Sequence, residues 1–315
     1  MSVHLDRSKI TEDPGHHTAA GRAAEAVAGR SLYADARARF FANKAAMVSV
    51  IVLLAVLAFA LFGSVLAVWD NETIDWDLIG VTAEHGAPSL ANGHYFGVDE
   101  LGRDLFARTV QGTTVSLMVG VVGAAIAVIV GTIYGAISGY AGGRIDNLLM
   151  RIVDILQAIP YMFVLILLLV VFGRSIAMLF VGIGLISWLD MARIVRGQTL
   201  SLKNKEFIEA AKTTGVPGLI IVFRHIVPNL IGITMVYATL LIPNMILAES
   251  FISFLGLGVQ EPNTSWGALI SEGASTLQYG MYWQLGFPLF FFVVTLFSFF
   301  FIGDGLRDAL DPKER

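Results

Sequence analysis

The sequence predicts an all-α polytopic membrane protein with six transmembrane helices, and three observations carry that prediction. Hydrophobic residues fill 56% of the 315 positions and charged residues 15%, whereas soluble domains run near about 45–50% and about 25%. A single water-soluble globule is therefore excluded. Uncharged stretches long enough to cross a bilayer recur along the chain, and Lys and Arg are confined almost entirely to alternate connecting segments.

A helix needs about 20 mostly apolar residues to cross roughly 30 Å of hydrocarbon. Residues 1–44 begin with a polar stretch rich in Ala, Gly and Arg, expected to form a partly disordered cytoplasmic tail. His16 and His17 in that tail read as a solvated pair rather than a metal site. The first apolar run, 45–69, ends at Trp69; it is too long for a signal h-region and reads as an uncleaved span. Residues 70–113 carry eight acidic residues against Arg103 and Arg108, too polar to insert, and read as an external loop.

The other spans fall within a core of residues 114–303. No charge occurs between Arg108 and Arg144, or between Asp154 and Arg174. The runs His225 to Ala248 and Gly273 to Gly303 are also long enough. Ser175 to Leu189 is shorter, with Asp190 following. It is expected to continue through Arg193, because Asp190 and Arg193 lie three apart on one helical face and can pair. Six spans put residues 1–44 and the tail 304–315 on one side. The segments on that side hold seven, two, six and three Lys or Arg, 18 of the 21 in the chain, so both termini are expected in the cytoplasm.

Several chemistries are excluded. The net charge of −4 offers no basic excess for nucleic acid, and without cysteine there are no disulfides or thiolate sites. No GxxxxGK[ST] or GxGxxG pattern occurs, so the chain lacks a Walker-type phosphate cradle. No cofactor or metal is expected on the chain itself, and it is not expected to be an enzyme. A serine hydrolase would need a base beside its nucleophile, and only His225, at the start of a span, lies near the membrane.

Gly131, Gly135 and Gly139 recur every four residues on one helical face, which predicts a close helix–helix seam. Pro160, Pro243 and Pro288 lie in or near spans and read either as hinges or as packing kinks. Glu249 ends an apolar run and is a candidate pathway residue, the alternative being a place at the outer interface.

The loop 201–228 is the most informative segment outside the membrane. Asn204 is a candidate N-cap, Glu206 and Lys212 suit the helix dipole, Gly215 suits a left-handed closing residue, and Pro217 blocks continuation. A short helix over about 205–214 follows, with Phe207, Ile208 and Ala211 on an apolar side. Ten residues are marginal alone, so this helix needs a surface to dock against, in its own chain or in another protein.

Glu209-Ala210-Ala211, then Gly215, then His225-Ile226-Val227-Pro228 resembles the EAA loop of bacterial ABC importer permeases. The usual ending is Ile-x-Leu-Pro; His225 and Val227 resemble the variation in the peptide and nickel branch. HYFGVDELGRDLFAR at 94–108, ESFISFLGLGVQEPNTSW at 249–266 and IGDGLRDALDP at 302–312 resemble that branch's C-type permease subunit. Residues 1–40 and 70–93 carry no part of this likeness.

The resemblance implies a type I ABC importer permease fold in the bacterial inner membrane, surrounded by lipid. It also implies a homologous B-type permease, two cytoplasmic ATPase subunits holding ATP and Mg, and an external solute-binding protein. Glu209, Ala210, Ala211 and Gly215 would couple to an ATPase, with Ala210 and Ala211 allowing close approach to a groove wall. Gly97, Asp99, Gly102, Arg103 and Asp104 would organise the external loop, with Arg103 paired to a carboxylate. The cargo implied is a peptide, with a self-sufficient secondary transporter or channel as the alternative.

Overall fold

The computed structural model describes residues 32–310, and the His16–His17 pair lies outside them. Among the described residues the chain is helical, with only isolated bridges between extended segments of the outer loop. Helix α1 (Leu32–Ala42) and α2 (Lys44–Leu66) meet at Asn43, whose side chain caps α2 by accepting from the Ala46 N–H at 3.1 Å. The end of the tail is thus a helix, and it packs on the last helix of the chain.

After α3 (Thr82–His85) comes α4 (Leu105–Ala141), then α5 (Gly143–Gln157), α6 (Tyr161–Phe172) and α7 (Ile176–Leu202). The short loop helix α8 (Glu206–Thr213) precedes α9 (Gly218–Ile221) and α10 (Val227–Phe254), and α11 (Trp266–Thr276) precedes α12 (Tyr282–Leu310). Five segments are long and apolar enough to cross a membrane: α2, α4, α7, α9–α10 as one, and α12. A sixth forms only if α5 and α6, bent by 74° at their junction, are taken together.

The weak span is therefore not the expected one. α7 is a continuous 27-residue helix, whereas the run after Asp154 breaks at Pro160, which caps α6. A proline has no N–H for the helical ladder and biases the residue before it away from the helical region. The expected Asp190–Arg193 pair is not formed. Arg193 binds Asp154 at 2.7 Å, and Asp190 accepts from Gln157 at 2.7 Å, because α5 lies alongside and offers both partners.

The glycine stripe lies at the α4–α7 contact. A Cβ on Gly131 would come within 2.6 Å of the Met191 Cβ, and one on Gly139 within 2.8 Å of the Thr199 Cβ. At Gly135 it would run into the Ala192 carbonyl. Without these Cβ atoms the two backbones approach and pack by dispersion.

Between α9 and α10, residues 222–226 form one π-helical turn. Pro228 has no N–H to donate, and the Val227 N–H reaches five residues back to the Val222 carbonyl. Pro243 and Pro288 lie buried inside α10 and α12.

Candidate functional site: loop helix, outer clamp and central cavity

Helix α8 begins at Lys205 without a side-chain cap, and the Asn204 amide turns instead to the Leu200 carbonyl at 3.4 Å. Its C-terminus closes more firmly. Gly215 has φ +78°, its N–H donates to the Lys212 carbonyl at 3.0 Å, and the Val216 N–H donates to the Ala211 carbonyl at 3.1 Å. These are the two bonds of a Schellman ending, which favours glycine at the left-handed position.

The apolar side of α8 is divided. Ile208 and Ala211 are buried in one cluster with Ile221, Val222 and Ile226 of the returning chain and Val195 of α7, while Phe207 is 44% exposed. Ala211 thus faces its own chain rather than an open surface. An eight-residue helix cannot hold itself in water, so the returning segment supplies the seat. Glu206, Phe207, Glu209 and Ala210 remain outward.

At the opposite end of α4 the motif at 94–108 is a clamp. Asp99 accepts from the backbone N–H of Leu101 and Arg103, both at 2.9 Å, and from Arg103 Nε at 2.7 Å. Arg108, 3% exposed, reaches Asp99 at 2.5 Å and holds Glu272 of α11 with two bonds of 2.6 and 3.1 Å. Arg103 also holds Glu261 at 2.8 Å. Burial opposes the Arg103 charge, but Asp99 and Glu261 prevail and raise its pKa.

Asp104 caps α4 by accepting from the Ala107 N–H at 2.8 Å, and it bonds His94 Nδ1 at 2.8 Å. Burial pushes the Asp104 carboxyl above the usual aspartate range, against the lowering effect of Ala107 and His94. Gly97 and Gly102 have φ of +79° and +73°, and a Cβ on either would meet a backbone oxygen, of Gly86 at 2.6 Å or Asp75 at 2.7 Å. Arg108, His94, Glu261 and Glu272 were not among the candidates drawn from the sequence. Arg108 and Glu272 border long apolar runs, which marks them as unusual without saying what they bind, whereas His94 and Glu261 lie in polar loop segments that carry no such signal.

Between these ends a cavity of about 1020 Å³ opens at the α5–α6 break, walled by α7 and α10. Gln157, Tyr161, Ser187, Asp190 and Asn244 are its polar lining residues among apolar walls. Glu249 is absent from that wall although Ala248 lines it. Glu249 is fully buried and accepts from Ser116 of α4 at 3.0 Å and from Ser253 at 2.6 Å. It ties α4 to α10 and reaches neither the cavity nor an open surface.

A family model described as "Binding-protein-dependent transport system inner membrane component" matches residues 127–315. The chain belongs to this family. A second model, the N-terminal TM domain of oligopeptide transport permease C, matches residues 31–82, so the likeness extends into regions where the sequence motifs gave none. The oligopeptide transport system permease protein OppC of Escherichia coli is 56% identical over 289 residues, covering 92% of this chain and 94% of that protein. OppC of Haemophilus influenzae is 53% identical, covering 91% and 90%. The dipeptide transport system permease protein DppC of Bacillus subtilis is 44% identical, covering 89% and 86%. The chain is a multi-pass membrane protein and a permease subunit of an ABC importer.

Proposed function

We propose that this chain is the C-type permease of a peptide importer in the bacterial inner membrane, with both termini cytoplasmic. The substrates in its relatives' names, oligopeptides and dipeptides, support the cargo class. The distribution of Lys and Arg supports the orientation. Its partners in this reading are a B-type permease, two ATPase subunits carrying ATP and Mg, and an external solute-binding protein.

The observation that carries the reading is the outward face of α8 on a fixed seat. Phe207, Glu209 and Ala210 are free to enter an ATPase groove, while Ile208 and Ala211 fasten the helix to α7 and the chain entering α10. α7 and α10 also wall the cavity. Force applied to α8 when the ATPases close is thereby delivered to the walls of the pathway.

The test is copurification with the genomically neighbouring subunits, followed by uptake in proteoliposomes. Glu209→Lys and Gly215→Pro should each abolish ATPase docking and peptide uptake. Intact docking and uptake in either variant refutes the coupling role, and flux through the chain alone refutes the ATP-driven reading.

A further inference from the structure

Asp190 is the only Asp, Glu, Lys, Arg or His among the residues lining the central cavity. It is the fifteenth residue of the 27 in α7, exposed, directly after the apolar run 175–189 and three residues before Arg193. Ionisable groups on membrane-crossing helices characteristically face water-filled cavities and mark substrate paths. The nearest arginine in sequence, Arg193, is engaged with Asp154. Among the described residues no cation lies within ion-pair distance of Asp190; its partner is the neutral Gln157 amide.

Two further polar side chains of the wall each turn a donor to a backbone carbonyl. The Ser187 hydroxyl donates to the Ile183 carbonyl at 2.8 Å, and the Asn244 amide donates to the Leu240 carbonyl at 3.1 Å. The cavity is thus offered a carboxylate and further acceptor oxygens, set in apolar walls. An ammonium group, with three donors, one positive charge and no acceptor, complements that arrangement.

We propose that Asp190, with the Asn244 side-chain oxygen, receives the N-terminal ammonium of a peptide in transit. This rests on the peptide reading above. The ammonium is common to free peptides of any sequence, and apolar walls accept varied side chains without selecting among them. Asp190 is in this role a binding residue of the pathway, distinct from capture by the external protein.

The test uses the complete complex in proteoliposomes with radiolabelled tri-alanine and N-formyl-tri-alanine, which lacks the ammonium. Asp190→Asn should lower the maximal tri-alanine rate about tenfold, the effect of one charge-assisted hydrogen bond, with KM unchanged. The formylated peptide's rate should stay within about twofold of its wild-type value. Asp190→Glu should recover most of the tri-alanine rate. An unaffected Asp190→Asn, an equal fall for the two peptides, or an equally deep loss in Asp190→Glu overturns the proposal. If Asp190→Asn does not assemble, Asn244→Ala should lower the tri-alanine rate several-fold, and an unchanged rate overturns it. A wild-type complex that carries another solute but no peptide removes the peptide reading and this inference together. Uptake of tri-alanine by wild type beside an unaffected Asp190→Asn removes this inference alone.

Discussion

Replacing Arg108 by alanine removes the cation that joins the start of α4 to Asp99 and to Glu272 of α11. Breaking a fully buried ion pair from one side costs about 3–5 kcal/mol. Two features reduce that figure here. Asp99 retains Arg103, and the Glu272 side chain is 40% exposed and can be rehydrated. The expected loss is about 2 kcal/mol, concentrated where α11 meets the outer loop. In hydrogen exchange on the complex in nanodiscs, that corresponds to exchange of the α11 amides faster by about 30-fold, if they exchange through local opening. A double-mutant cycle with Glu272→Ala isolates the pair. Unchanged exchange in Arg108→Ala, or effects that add to within about 0.5 kcal/mol, would refute the clamp.

Gly135→Leu should destabilise the complex by about 1–3 kcal/mol through overpacking at the α4–α7 seam, while Gly197→Ala, which meets nothing within 4 Å, should be near neutral; comparison of thermal inactivation checks both. Phe207→Glu should weaken ATPase copurification without altering the permease's own stability, since Phe207 faces outward. Ile208→Ala, at a fully buried position, should instead destabilise the seat of α8 by about 2–5 kcal/mol, seen as faster exchange over 206–226. Glu249→Leu leaves the hydroxyls of Ser116 and Ser253 without their carboxylate and should cost about 1–3 kcal/mol, so that uptake falls in proportion to complex yield.

Much of this architecture was legible because a bilayer makes hydropathy and charge placement decisive. Four spans follow from apolar length alone, and α8 ends where Gly215 requires it. The location of the broken span was not legible from length. Residues 155–173 form one uncharged run, and only Pro160 distinguishes it from a straight helix. The free side of α8 was also hidden, because the residues covering Ile208 lie in the returning segment and in α7. The clamp joins Arg108 to a carboxylate 164 positions away, and a single sequence contains no local signal for such a pairing.

The three parts of the site are mechanically connected. The α4–α7 seam is built without Cβ atoms at three positions, and close packing of this kind transmits displacement with little compliance. α7 carries Asp190 on the cavity and Val195 against the seat of α8. At the other end, α4 is held by its Asp104 cap and the Arg108 clamp. In the proposed coupling, a push on α8 would reach α7 and, through the seam, the half of α4 that packs on it. The bend at Pro160 interrupts the helical ladder of the facing wall.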